Sequence, residues 1–148
     1  MLEPLTVWKV ELAHGLAHRD VAGTLTLGAD ALEFEADEAA APMHIGYAAI
    51  TRAKRLRLSA VLLVRWESDG TTRLTAFYLA QPPPLAPPDP GEAGLRTGNM
   101  RVGFLRPTKR GQRRRNTAYL AYTGADLKPA LRAWTAEVRV RVRATRGG

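Results

Sequence analysis

The sequence predicts a mainly β domain, either a β-barrel or a curved antiparallel sheet, that is capped by one C-terminal amphipathic α-helix. Short segments in which apolar and polar residues alternate, separated by turn residues, fill residues 1–80. One apolar stripe with helical spacing lies close to the C-terminal end. A length of 148 residues with 45% hydrophobic side chains suits a single domain with one core.

The first hairpin is predicted around a Gly-Ala-Asp turn. Val7–Glu11 alternates and opens a strand, whereas residues 12–20 have no clear period and are predicted as a connection. On either side of Gly28 and Asp30, four apolar residues alternate with polar ones; they are Leu25, Leu27, Leu32 and Phe34. This pattern is typical of a β-hairpin with one buried face.

The middle of the chain predicts three further strands. A strand is expected around His44–Ile50, followed by the basic stretch Thr51–Arg57. Ala60–Trp66 is almost continuously apolar, which indicates a well-buried strand. Glu67–Gly70 is a turn signal, and Thr72–Ala80 is the expected antiparallel partner of the buried strand.

The β-rich core of residues 1–80 is followed by two segments of different composition. Residues 81–99 are rich in proline and glycine and are predicted to be a loop or linker. Residues 100–124 form a basic segment with a candidate strand over Met100–Leu105 and a candidate short helix over Asn116–Tyr122. Residues 125–148 are expected to return to the same domain as its amphipathic helix.

The helix is predicted from five apolar residues at spacings of three and four, which are Leu127, Leu131, Trp134, Val138 and Val142. Asp126 is expected to cap the helix N-terminus. Pro129 then falls in the first turn, where the missing N–H does no harm.

These elements resemble the bacterial PH-like and GRAM-like domains of the pleckstrin-homology superfold. The residues that carry the resemblance are the Gly23–Phe34 hairpin, the strand Ile45–Ile50 and the paired strands 61–66 and 73–79. With the C-terminal helix included, the resemblance covers residues 5–80 and 126–143.

The resemblance implies a module that binds lipid headgroups, peptides or partner subunits and that has no catalytic residue. Members that bind phosphoinositides typically place basic residues around the first hairpin. Here that hairpin carries Asp30, Glu33 and Glu35 instead.

Positive charge is concentrated in the second part of the chain. Residues 1–92 carry a net charge of −4 and residues 93–148 carry +12, which together give the +8 of the chain. Arginine supplies 18 of the 22 basic side chains, as in proteins from bacteria with GC-rich genomes. The asymmetry predicts an acidic protein or an anionic membrane surface as the partner, with nucleic acid as a further candidate.

The candidate binding residues for an anionic partner form two groups. On a helical wheel Lys128, Arg132, Arg139, Arg143 and Arg146 share one narrow sector beside the apolar stripe. The second group lies in segment 106–115 and consists of Arg106, Lys109, Arg110, Arg113, Arg114 and Arg115. The alternative is that both groups form a solvated surface. Arg52, Lys54, Arg55 and Arg57 either extend the same surface or face outward at the end of a strand.

The leading hypothesis is a non-enzymatic PH-like binding or adaptor module that recognises an acidic partner. The alternatives are a nucleic-acid-binding protein that uses segment 106–115 and an enzyme with an unrecognised site. The chain has no cysteine, no glycine-elbow nucleophile and no phosphate-loop motif. We therefore predict no catalytic residue, no metal ligand and no cofactor.

The sequence also predicts a cytoplasmic location, with the inner face of the membrane as a further site. The longest apolar stretch, Leu58–Val64, is much shorter than the ~20 residues that a membrane span requires. The N-terminal residues lack the basic and apolar pattern of a signal peptide.

Overall fold

A computed structural model describes residues 1–13, 16–17, 20–56, 59–80 and 126–148. In chain order the elements are β1 (Leu5–Ala13), β2 (Leu16–Ala17), β3 (Val21–Leu27), β4 (Ala31–Ala36), β5 (Met43–Gly46), a 3-10 helix (Tyr47–Ala49), β6 (Ile50–Arg55), β7 (Val61–Ser68), β8 (Thr71–Tyr78) and α1 (Lys128–Gly147).

The strands form one antiparallel, curved sheet in the order β5-β4-β3-β1-β8-β7-β6, and the short strand β2 pairs with β1. Strands β5 and β6 lie at opposite edges of this sheet, although only the 3-10 helix separates them along the chain. The sheet is not closed into a barrel. Of the two predicted forms, the curved sheet with a C-terminal helix is therefore the one observed.

Both predicted hairpins are confirmed. In the first, Leu25 pairs with Phe34 and Leu27 with Leu32, so the alternating apolar residues share one face. In the second, β7 and β8 pair from Val61 to the Ser68–Thr71 end. Asp69 and Gly70 both have positive φ, 51° and 74°, which is the backbone that a tight two-residue hairpin turn requires.

The segment predicted as one strand, His44–Ile50, is divided among three elements. It spans part of β5, the 3-10 helix and the first residue of β6. Tyr47 is buried, and its backbone N–H donates to the carbonyl of Asp30 over 2.9 Å. The strand is interrupted here because the chain passes from one edge of the sheet to the other. Local alternation of apolar and polar residues cannot reveal such a crossing.

The main core lies between the concave face of the sheet and α1. The helix contributes Leu131, Trp134 and Val138, which are all buried. The indole Nε1 of Trp134 also donates to the carbonyl of Glu3 over 3.3 Å. The predicted apolar stripe therefore docks the helix.

A second, smaller apolar cluster lies on the other face of the sheet. Val10, Val61 and Ala76 are fully buried there, and Leu63 and Tyr78 pack against them. Strand β7 thus has buried residues on both faces, which explains its nearly continuous apolar sequence.

The predicted N-terminal cap of the helix is wrong. Leu127 occupies the cap position, and no side chain caps the helix. Asp126 lies one residue too early, in the turn that precedes the cap. Pro129 does lie in the first turn, as expected. Among the described residues, no helix combines the length and apolar character needed to cross a membrane.

Candidate functional site

The basic sector of α1 faces the edge strand β6. Arg139 donates from Nε to the carbonyl of Ala53 over 2.9 Å. Arg146 donates from Nη2 to the carbonyl of Ile50 over 2.6 Å. Because β6 is a sheet edge, these carbonyls have no strand partner on this side. The two arginines therefore cover the open edge and fix the helix beside it.

The predicted sector thus divides into residues that hold the fold and residues that face solvent. Arg132 and Arg143 are exposed and Lys128 is half-buried. Within the described part of the chain, these three make no ion pair with a carboxylate. Arg139, which we predicted as a partner-binding residue, already uses its Nε atom within the domain. This hydrogen bond gives Arg139 a structural role, whereas its predicted role in partner binding stays a prediction.

The basic residues after Ile50 lie on β6 itself. Arg52 and Arg55 are exposed strand residues on either side of Ala53, the residue that α1 contacts. The group therefore faces outward from the edge strand, as one of the two interpretations expected, whereas its continuity with the helix surface stays a prediction. Arg57 lies outside the described residues.

Like charges meet on this edge. The β6–β7 register pairs Arg52 with Arg65, and paired residues of neighbouring strands point to the same face of a sheet. Like charges in directly opposite positions are destabilising, so an anion bound between them would relieve a repulsion in the free protein. We use the name basic edge for Arg52, Lys54, Arg55, Arg65, Lys128, Arg132 and Arg143.

The other predicted group, Arg106, Lys109, Arg110, Arg113, Arg114 and Arg115, lies outside the described residues. Its proximity to the basic edge therefore stays a prediction. His14 and His18 also lie outside them. His44 lies on β5, with Nδ1 4.0 Å from the Glu33 carboxylate. Within the described residues no cluster of three or more His, Asp or Glu side chains could hold a metal ion.

Arg141, which was not among the predicted site residues, holds the opposite side of α1. Its Nε donates to Glu137 over 2.8 Å, and Nη1 donates to the Gly28 carbonyl over 2.5 Å. The Tyr47 hydroxyl donates to the same carbonyl over 3.0 Å. This cluster fastens the helix to the first hairpin. The i,i+4 spacing of Glu137 and Arg141 was the available sequence signal.

Two pKa shifts follow from this packing. The hydrogen bond that Arg141 donates to the Glu137 carboxylate raises the pKa of the Arg141 guanidinium above its ordinary value. Burial raises the pKa of the Tyr47 hydroxyl, although Arg141 opposes part of that shift. Both groups therefore keep their neutral-pH protonation states, and Arg141 is a fixed cation that the domain uses internally.

Acidic residues are concentrated on and after the first hairpin, away from β6. They are Asp30, Glu33, Glu35, Asp37 and Glu38, and the hairpin contributes to the β5 side of the sheet. The two edges of the sheet thus carry opposite charges. The positive end of this polarity lies at β6 and α1.

The chain matches no protein-family model, and no significantly similar sequence is found among curated proteins.

Proposed function

We propose that this protein is a non-enzymatic binding module of the PH-like or GRAM-like kind, which recognises an acidic partner and acts as an adaptor in the cytoplasm. The partner is an acidic protein or the anionic inner surface of the membrane. The basic edge is the surface that we assign to this contact.

The observation that carries the proposal is the junction between α1 and β6. Arg139 and Arg146 tie the helix to the edge strand, so the basic residues of α1 and of β6 belong to neighbouring elements. Arg132 and Arg143 on the helix and Arg52 on the strand remain exposed. A surface of several cations without carboxylate partners attracts a polyanion more strongly than a surface of paired charges does.

The electrostatic attraction between the basic edge and a polyanion is sufficient for reversible docking. One Lys or Arg close to an acidic surface contributes about 1 kcal/mol, and isolated surface ion pairs contribute less. Several cations acting together would give measurable affinity for a polyanion at low ionic strength. We expect this binding to weaken strongly as salt is added, because exposed charges are screened beyond roughly 10 Å at about 0.1 M salt.

Replacing Arg132 and Arg143 together with serine is expected to weaken polyanion binding by about tenfold or more, since about 1 kcal/mol is lost per cation and 1.4 kcal/mol is about tenfold in affinity. The melting temperature should change little, because both side chains are exposed. Binding should be measured by calorimetry with polyglutamate, with vesicles containing phosphatidylglycerol and with an oligonucleotide, each across a salt series.

The matched control is Thr6→Asp with Thr72→Asp, which lowers the net charge by the same amount at exposed positions outside the basic edge. An equal loss in the control would show that overall charge alone attracts the polyanion. If the parent binds none of the three probes at about 50 mM salt, where such contacts are strong, the proposed function is wrong.

A further inference from the structure

The solvent-facing side of α1 carries a second apolar surface. Among the described residues, the exposed large apolar side chains are Met1 and Val140, and 57% of Val140 is accessible. Ala136 and Ala133 are also exposed and lie one and two turns before Val140. Together with Leu2, these residues line an open groove of about 600 Å³ between the N-terminal segment and the helix.

This groove is separate from the core contact of the helix. Leu131, Trp134 and Val138 face the sheet, and at 100° per residue Val140 points to the opposite side. A helix with one buried face normally presents polar residues to solvent. The outer face of α1 departs from this pattern, since Val140 and two alanines lie among its polar residues.

Charged side chains border the groove on both sides. On the helical wheel Arg132, Arg139 and Arg143 follow the flank that faces β6. Glu137 and Arg141 belong to the opposite wall, where their side chains form an ion pair of 2.8 Å. The charge available to a bound partner is therefore positive, and a complementary partner has an apolar ridge with acidic residues beside it.

We infer that this groove binds an acidic amphipathic helix of a partner protein. The inference rests on the proposed function and narrows it to one kind of partner. A helix fits the groove because apolar residues at positions i, i+4 and i+7 form a ridge, and the small side chains of Ala133 and Ala136 allow close approach.

Two other occupants fit less well. A bilayer surface is flat and cannot fill a concave groove. A second copy related by two-fold symmetry would bring the same basic flanks into contact. An acidic helix avoids both conflicts.

The test uses a synthetic peptide of about 20 residues, with leucines on one helical face and glutamates elsewhere, and a scrambled peptide of identical composition. In fluorescence anisotropy the amphipathic peptide is expected to bind at least about tenfold more tightly than the scrambled one, because only it presents an apolar ridge. Val140→Asp should remove this preference. Ala136→Gln, which fills the groove without adding charge, should also reduce it.

Thr72→Asp is the control, since it adds the same charge at an exposed position of β8. Equal affinity for both peptides, or an unchanged preference in Val140→Asp, overturns the inference. A third outcome is that the protein binds anionic vesicles, that Val140→Asp abolishes this binding, and that the two peptides bind equally. This outcome identifies a bilayer as the occupant and also overturns the inference. In each of these outcomes, the double variant Arg132→Ser with Arg143→Ser is measured as well. If it still weakens polyglutamate binding, the proposed function stands, and only the inference that the groove binds a helix is refuted.

Discussion

Replacing Trp134 with alanine is expected to lower the free energy of unfolding by about 3–5 kcal/mol, the usual cost of truncating a buried aromatic residue. Among the described residues Trp134 is the largest fully buried side chain, with 2% of its surface accessible. Its indole N–H donates to the Glu3 carbonyl, so the substitution also removes a contact between α1 and the N-terminal segment. Urea unfolding followed by circular dichroism measures the change.

The control for this experiment is Val140→Ala on the same helix. Val140 is 57% exposed, so its truncation should change stability by no more than about 0.5 kcal/mol. A loss below about 1 kcal/mol for Trp134→Ala would show that the helix is not docked through Trp134. The sheet would then have to be covered in some other way.

Gly23→Ala is expected to destabilise the protein by about 3 kcal/mol, the upper part of the range for overpacked sites. A Cβ atom at Gly23 would collide with the backbone carbonyl of Glu35, and it would lie 2.6 Å from Cζ of Phe34. Rotation of a side chain cannot relieve the first collision, because the pairing of β3 with β4 fixes the carbonyl. Thermal unfolding in parallel with urea titration measures the effect.

Gly46→Ala provides a matched glycine control at the end of β5. Its Cβ would have no neighbour within 4 Å, and no positive φ requires glycine there. This variant should be as stable as the parent or slightly more stable, because alanine reduces the entropy of the unfolded chain. Equal destabilisation by both substitutions would mean that close packing is not the reason for glycine at position 23.

The fold could be predicted where local pattern determines it. Alternation around Gly28 identified the first hairpin, because a strand exposes its two faces in turn. The spacing of Leu131, Trp134 and Val138 identified the docked face of α1, because the helical period brings these residues together. The order of the strands in the sheet leaves no such pattern in the sequence. For this reason β5 and β6, which lie at opposite edges, were predicted as one strand.

For the candidate site, the sequence could predict which basic residues take part but not which elements they contact. The helical wheel grouped Arg132, Arg139 and Arg143, but a wheel does not show which element lies beside a flank. Only the sheet order reveals that Arg139 meets the carbonyl of an edge strand. Arg141 was missed for the same reason, since its partners at Gly28 and Tyr47 are remote in sequence.

An NMR titration of the protein with polyglutamate, following backbone amides and arginine Nε–H groups, locates the surface that an acidic partner contacts. We propose that this surface is the basic edge. We therefore expect the largest shift changes in β6 and along α1 at Arg132 and Arg143, with a decline as salt is added. Shift changes centred on the acidic first hairpin, or spread evenly over the sheet, would contradict the claim.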